Sequence, residues 1–229
     1  MRSNKKLQNF PKSCNSQRIS CFDLDHTLLR GNCCRFFGSH LYRHGFLSVF
    51  NMLYSLSCYC LHKQGVFSIA DLQRKIFQRF FLGLSQTVIQ AQVKQFLDIH
   101  LNELIYPPAM ERLRQAQRAG HCTVILSSSP GFLVGALAER LGVDVWDATE
   151  YAVDKNHCFC SIEYFMLSDD KADFIESLTQ HLGVTKQVVT AYSDSILDLS
   201  FLQTAGQAVG VNPDRALRAH CLQNNWPII

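Results

Sequence analysis

Short apolar runs that favour β-strands alternate with helical segments along most of the chain, and this alternation limits the possible folds. The predicted strands lie at 19–24, 122–127, 188–192 and 208–211. The predicted helices between and after them lie at 107–119, 130–141, 169–182, 195–204 and 213–224. Such alternation is typical of a parallel sheet that helices cover on both faces. The stretch 143–160 is ambiguous, and we expect it to contain short strands.

Residues 31–105 interrupt the alternation, because apolar residues recur there at helical spacing and no strand pattern appears. We therefore predict a second, all-helical domain inserted after the first strand. The sheet-containing core then comprises 19–30 and 106–229, and residues 1–18 form a flexible basic tail. A chain of 229 residues with 47% hydrophobic and 18% charged residues is long and apolar enough for this arrangement.

Charge and cysteine content indicate where the protein works. The net charge of +3 is too small to predict nucleic acid as the main partner. The basic tail has no apolar stretch behind it, so a secretory signal is not expected. Ten cysteines without a C-x-x-C pair are typical of reduced thiols, and we predict a cytoplasmic protein.

The most apolar window, 46–61, contains sixteen residues without a charge. This is shorter than the ~20 residues that cross a bilayer, and Asn51 and three serines interrupt it. A buried helix is therefore the favoured interpretation. The alternative is an interfacial helix that contacts lipid, which would make the protein a peripheral, membrane-associated one.

Polar side chains follow the predicted strands where each strand ends, which is the edge at which ligands bind in such sheets. Asp23 and Asp25 end the first strand, residues 127–129 follow the second, and Asp194 follows the third, with Lys171 opening the preceding helix. Closely spaced carboxylates repel one another unless a divalent cation lies between them, and oxygen ligands suit Mg²⁺. A serine hydroxyl and a lysine ammonium can neutralise phosphate oxygens. The sequence therefore predicts a phosphoryl-transfer site.

Four runs, CFDLDHTLL, VILSSSP, LSDDKADF and AYSDSILDLSFL, resemble the motifs of haloacid dehalogenase (HAD) superfamily phosphatases, and they occur in that family's order. The closing run VNPDRALRAHCLQNNWPI is similar to the phosphoserine-phosphatase-like subfamily, which carries a helical cap between its first two motifs. The resemblance covers nearly everything from residue 19. It implies an α/β fold, with a Rossmann-like parallel sheet core and an inserted α-helical cap at 31–105.

The resemblance also implies a role for each motif residue. Asp23 would be the nucleophile that forms an aspartyl-phosphate, and Asp25 would protonate the leaving alcohol and then activate water. Phosphate binding would fall to Thr27, Ser127, Ser128 and Lys171. Mg²⁺ would bind Asp23, the backbone carbonyl of Asp25 and Asp194, with Asp198 behind them or reaching the ion through water.

Two departures from the family pattern concern geometry: His26 replaces the commoner Gly or Asn, and Ser193 replaces a Gly. Asp198 could also be a simple exposed acid. A D-x-D run can serve a glycosyltransferase, but that alternative leaves Lys171 unexplained. Zinc is not favoured, because the spacing of the candidate ligands fits no structural zinc pattern; these are Cys33, Cys34, His157, Cys158 and Cys160.

The insertion bears on the substrate, because no Asp or Glu occurs between His26 and Ala70. Phosphoserine phosphatases place an early glutamate there, so we predict against phosphoserine, although Asp71 is an alternative acid. Arginines and aromatic residues fit a small phosphorylated metabolite or a lipid phosphate, since some relatives in this subfamily act on phosphatidylglycerophosphate. The aromatic residues could equally form the core of the insertion.

We therefore predict a Mg²⁺-dependent phosphomonoesterase. The alternatives are a lipid-phosphate phosphatase at the membrane surface, a phosphotransferase or mutase that shares Asp23, and a non-catalytic binding module that keeps the fold.

Overall fold

The computed structural model describes residues 18–229, and the predicted tail at 1–18 lies outside them except for Arg18. The strands are β1 (Ile19–Phe22), β2 (Cys122–Pro130), β3 (Val145–Val153), β4 (Phe159–Tyr164), β5 (Val189–Ser193) and β6 (Gln207–Gly210). The helices are α1 (Cys33–Arg43), α2 (Val49–Lys63), α3 (Ile69–Phe80), α4 (Gln86–Leu104), α5 (Pro107–Arg118), α6 (Gly131–Leu141), α7 (Ser168–Leu182), α8 (Leu199–Thr204) and α9 (Arg215–Asn224).

The strands of the described residues form one sheet in the order β4-β3-β2-β1-β5-β6. All neighbours run parallel except β3 and β4, which are antiparallel. The predicted α/β class with a parallel sheet is confirmed. The ambiguous stretch 143–160 contains all of β3 and the start of β4, and the two strands form a hairpin at one edge of the sheet.

Two buried clusters cover the two faces of the sheet, because successive side chains of a strand point in opposite directions. Ile19 and Cys21 of β1 belong to the cluster that α7, α8 and α9 cover. Phe22 belongs to the other cluster, where helices α5 and α6 pack together with α1, α3 and α4. The sheet is therefore buried on both sides, as parallel sheets require.

Glycines end two of the predicted helices where the sequence places them. Gly142 follows α6 with φ of 64° and Gly183 follows α7 with φ of 66°, a left-handed conformation that glycine adopts without strain. The predicted helix at 195–204 is shorter than expected, since a single turn at Ile196–Asp198 precedes α8.

Helices α1 to α4 lie between β1 and β2, in the predicted insertion, and we call them the inserted helices. Ser68 caps α3 by a reciprocal pair of hydrogen bonds with Asp71. Side chains of α1, α3 and α4 enter the same buried cluster as Phe22 and Ile125 of the sheet. The division of the chain into a core and a separate cap at 31–105 stays a prediction.

The expectation of a buried helix at 46–61 is wrong. Helix α2 buries Cys58, whereas Phe50 is 71% exposed and Leu53 is 57% exposed. The burial of a helix depends on the elements that pack against it. Helix α2 packs beside α1 and α3, and only its partly buried Met52 contacts the buried cluster that contains Phe22. Among residues 18–229, no helix is both long and apolar enough to pass through a membrane.

The cysteines correct a second expectation. Eight described cysteines have free thiols, but Cys122 is disulfide-bonded. The prediction of ten reduced thiols is therefore wrong at that residue.

Candidate active site

The predicted site residues meet at the carboxyl ends of three neighbouring strands. Phe22, the last residue of β1, pairs with Ile125 of β2 on one side and with Tyr192 of β5 on the other. Asp23 extends this pairing, since its backbone N–H donates to the Tyr192 carbonyl at 2.9 Å. The parallel register therefore brings the residues that follow each strand to one edge of the sheet.

The turn Leu24–Leu28 leads away from β1 and explains one departure from the family pattern. His26 has φ of 60°, in the left-handed region that favours Gly and Asn and that His also tolerates. The turn directs the hydroxyl of Thr27 to Asp194, where it donates to Oδ1 at 3.2 Å. Thr27 thus joins the first strand end to the third.

Lys171 occupies the centre of the site and is 3% exposed. Its Nζ donates to Asp23 Oδ1 at 2.7 Å and to both carboxylate oxygens of Asp198 at 2.9 and 2.8 Å. The first turn of α7 holds this side chain between the end of β1 and the turn that precedes α8. The structure therefore joins Asp23 to Lys171 and gives Asp198 the same lysine as its partner.

Burial sets the electrostatics of this group. It raises the pKa of the Asp23 carboxyl well above its usual range, the Lys171 ammonium lowers that pKa, and the carboxylates of Asp198 and Asp194 raise it further. Burial lowers the pKa of Lys171, but Asp198 and Asp23 raise it more strongly, so the net shift is upward. The lysine therefore stays charged and balances the buried carboxylates.

Asp194 is the second carboxyl group with a raised pKa, at about 6. Burial is the main cause, while His26 and the Thr27 hydroxyl lower the pKa. Ser193, the other departure from the family pattern, donates through its hydroxyl to Asp198 Oδ2 at 2.8 Å. Its side chain therefore helps to hold the carboxylate that pairs with Lys171.

Asp25 is oriented by residues to which the sequence analysis gave no role in holding it. Its carboxylate accepts hydrogen bonds from the Ser129 hydroxyl at 2.6 Å, the Asn32 side-chain amide at 3.1 Å and the Cys33 backbone N–H at 2.6 Å. Asn32 is also the N-cap of α1, which is the one local signal that the sequence offered. Contacts across 104 residues, such as that of Ser129, leave no local signal.

The predicted serines differ in their surroundings. Ser127 is buried, and its hydroxyl accepts a hydrogen bond from the Ser129 backbone N–H at 3.2 Å. The Ser128 carbonyl accepts from Gln73 of α3 and from Thr149 of β3, each at 2.7 Å. The inserted helices therefore contact the last residues of β2, which carry two of the predicted phosphate-binding residues, Ser127 and Ser128.

The donor set of the site fits Mg²⁺ in kind. Asp23 and Asp194 are buried carboxyl groups whose charges repel each other, and a divalent cation would offset that repulsion. Within residues 18–229, no three side chains among His, Cys, Asp and Glu are grouped as a metal site. An ion here would therefore depend on two carboxylates together with backbone and water oxygens. That Asp25 and Asp198 contribute stays a prediction.

The structure is thus an α/β protein whose sheet carries buried acids, a lysine and serines at its carboxyl edge, where ligands bind in such folds. The family model of haloacid dehalogenase-like hydrolases matches residues 21–203. The chain belongs to this family, which confirms the predicted fold class and the assignment as a hydrolase.

Relatives and solved structures agree with this membership. A Streptomyces azureus protein named "Inhibition of morphological differentiation protein" is 30% identical over 213 residues, or 91% of this chain and 76% of its own length. A Mycobacterium tuberculosis protein named phosphoserine phosphatase is 28% identical over 212 residues, which cover 90% of this chain and 68% of its own length.

Solved structures share the fold at lower identity. A Bordetella pertussis protein of unknown function has a TM-score of 0.82 at 19% identity, covering 93% of this chain and 99% of that one. A structure described as a phospho-aspartyl intermediate analogue of phosphoserine phosphatase has a TM-score of 0.65 at 15% identity. The match covers 92% of this chain and 91% of that one.

Replacing the central lysine tests the charge balance. Lys171→Met leaves two buried carboxylates without their cation, so we expect the free energy of unfolding to fall by about 3 kcal/mol at pH 8 in EDTA. The Asp23 pKa already lies above its unfolded value, and loss of the ammonium raises it further. Ionising Asp23 therefore opposes folding, and the loss should shrink between pH 8 and pH 5. Urea denaturation of the wild type and the variant at both pH values measures this loss in the free energy of unfolding.

The double variant Lys171→Met/Asp198→Asn is the matched control, because it removes one of the two stranded charges. We expect it to recover part of the lost stability. An equal loss at both pH values, with no recovery in the double variant, would contradict the proposed charge balance.

Proposed function

We propose that the protein is a Mg²⁺-dependent phosphatase that hydrolyses a phosphomonoester through an aspartyl-phosphate on Asp23. The observation that carries the proposal is the buried contact of Asp23 with Lys171, at the edge of the sheet where the neighbouring strands bring Ser127 and Asp194. The lysine holds one carboxylate oxygen of Asp23, so the other oxygen is the candidate for attack on phosphorus. An intact charge network of this kind is costly to bury, which argues against a non-catalytic module.

In the first step, a carboxylate oxygen of Asp23 bonds to phosphorus and the bond from phosphorus to the leaving oxygen breaks. Asp25 gives its proton to that oxygen, and the alcohol departs. In the second step Asp25 takes a proton from water, and the water oxygen bonds to phosphorus. The bond between phosphorus and the Asp23 oxygen breaks, which releases phosphate and restores the Asp23 carboxylate. Lys171 and Ser127 would neutralise phosphoryl oxygens in both steps.

Mg²⁺, held by Asp23, Asp194 and the Asp25 backbone carbonyl, would supply positive charge beside the phosphoryl group. Asp198 would act through Lys171, because both of its oxygens accept hydrogen bonds from that ammonium group. Thr27 would orient Asp194 through its hydrogen bond to Oδ1.

Asp23→Asn tests the nucleophile. An amide does not form the acyl-phosphate, so we expect kcat with p-nitrophenyl phosphate and Mg²⁺ to fall at least about a thousandfold. Asp169→Asn makes the same chemical change at an exposed acid of α7 and should leave kcat within about twofold. Turnover that survives in Asp23→Asn would exclude Asp23 as the nucleophile. Adding glycerol to the wild type and assaying for glycerol phosphate separates a hydrolase from a phosphotransferase.

Ser129→Ala tests the orientation of Asp25. The variant removes the 2.6 Å hydrogen bond to the proton donor, so we expect kcat/KM for an alkyl phosphate to fall by about tenfold. p-Nitrophenyl phosphate needs little protonation of its leaving group and should be affected less. Ser39→Ala, which removes a hydroxyl bound to the Arg35 carbonyl, is the matched control. Equal losses for the two substrates would contradict the role of Ser129.

The acids of the insertion bear on the substrate. Residues 26–105 contain three acids, and each has a basic neighbour: Asp71 pairs with Arg74, Asp98 with Arg140, and Glu103 with His100. A substrate with an ammonium group needs a carboxylate to receive it. We therefore propose an anionic phosphomonoester without such a group, although one relative is named phosphoserine phosphatase.

Phosphoserine and 3-phosphoglycerate form a matched pair, since a hydroxyl of the second replaces the ammonium of the first. We expect kcat/KM for 3-phosphoglycerate to equal or exceed that for phosphoserine, because no carboxylate of the insertion is left to bind the ammonium. Steady-state phosphate release measures both. A preference for phosphoserine of tenfold or more would overturn this substrate proposal and leave the mechanism intact.

A second candidate is a lipid phosphate, hydrolysed by a cytoplasmic protein that contacts the membrane through 46–61. The exposed apolar side chains of α2 favour it. A screen of soluble phosphorylated metabolites against lipid phosphates in mixed micelles, with Mg²⁺ present, separates the two substrate classes.

A further inference from the structure

Helix α2 presents apolar side chains to solvent over a continuous face. Val49, Leu53, Leu56 and Cys60 are exposed and recur at the spacing that places residues along one side of a helix. Phe50 lies beside this row and is 71% exposed, and Leu56 is 58% exposed. We call the side chains of Val49, Phe50, Leu53, Leu56 and Cys60 the outer face of α2.

The opposite side of α2, which is turned toward the protein, is more polar than the outer face. Asn51 accepts a hydrogen bond from Arg79 of α3 at 3.1 Å, and His62 Nδ1 lies 2.8 Å from the Phe67 carbonyl. Ser55 is half-buried on the same side, and Cys58 is buried. Helix α2 is therefore amphipathic with its apolar side toward solvent, whereas a surface helix normally turns its apolar side toward the protein core. Packing within the chain does not account for the outer face.

Two exposed cations flank α2 in the sequence, one before its first residue and one at its last. Arg43, at the end of α1, and Lys63, at the end of α2, are both exposed, and Lys63 Nζ lies 5.6 Å from the ring centre of Tyr59. No acid occurs between residues 26 and 70 to offset them. The next acid, Asp71, is paired with Arg74 at 3.1 Å. A surface that covers the outer face would therefore meet cations at its rim.

The positive charge near the outer face indicates which kind of surface could cover it. A second copy of the chain, docked through the same face, would bring two cationic rims together without an acid from residues 26–70 to separate them. An anionic lipid surface satisfies both features, because its headgroups pair with Arg43 and Lys63 while its acyl chains receive the apolar side chains.

We propose that α2 is a membrane-docking helix that lies in the plane of an anionic lipid surface with its outer face inserted. None of the residues assigned to the phosphatase site lies on α2, so this inference stands independently of the proposed catalysis. It supplies the membrane contact that a lipid-phosphate substrate needs, but it does not require such a substrate. One short helix with few cations gives reversible attachment that salt weakens.

Vesicle sedimentation tests the docking surface with the full-length protein. We expect binding to phosphatidylcholine vesicles that contain a third phosphatidylglycerol, and little binding to phosphatidylcholine alone. Phe50→Ser/Leu53→Ser should reduce the partition coefficient at least about tenfold, because two inserted side chains are lost. Arg43→Gln/Lys63→Gln should reduce it by about tenfold on anionic vesicles.

Leu222→Ser is the matched control, since Leu222 of α9 is 66% exposed and lies outside the outer face. It should bind vesicles within about twofold of the wild type. Circular dichroism melting checks that each variant is folded, and phosphatase activity in solution should be unchanged in all of them. A folded wild type that does not bind anionic vesicles, or whose binding survives Phe50→Ser/Leu53→Ser, would overturn the proposal. So would a dimer that only this double variant dissociates, because the face would then serve self-association.

Discussion

The buried ammonium group of Lys171 joins parts of the chain that are far apart in sequence. Asp23 lies 148 positions from it and Asp198 lies 27 positions from it, yet both contact Nζ within 2.9 Å. The contacts require β1 to lie beside β5 and α7 to begin at the same edge of the sheet. Because an unpaired charge in this position costs several kcal/mol, any arrangement that separates the three groups is disfavoured. The topology and the charge network therefore depend on each other.

A buried ion pair contributes little to stability by itself, since desolvation offsets most of the attraction. An apolar replacement of similar volume could stabilise the same fold. The network of Lys171 is better explained by chemistry, because its ammonium group lowers the pKa of Asp23, which burial raises, and so favours the ionised carboxylate. The cost of burying these charges is thus consistent with a nucleophile that must be ionised to react.

Local patterns predicted what depends on neighbours in sequence. The strand ends, the glycines after α6 and α7 and the position of Lys171 follow from periodicity, turn chemistry and motif spacing. The sequence could not show that Asp198 faces the lysine, or that Ser129 holds Asp25, because those contacts depend on how distant strands align. The same limit explains the wrong prediction for α2. Its apolar composition predicted burial, but composition alone cannot show whether other elements of the chain pack against a helix.

The inserted helices divide into two groups by what they contact. Helices α1, α3 and α4 bury side chains beside the sheet, and Gln73 of α3 donates a hydrogen bond to the carbonyl of Ser128 near the end of β2. Helix α2 packs beside α1 and α3, and it leaves its apolar side outside. An exposed apolar helix face favours aggregation unless another surface covers it, so a helix with only a structural role would be expected to carry polar residues there. The composition of α2 is therefore consistent with an external surface that covers it, and α3 contacts both α2 and the end of β2, where Ser129 holds Asp25.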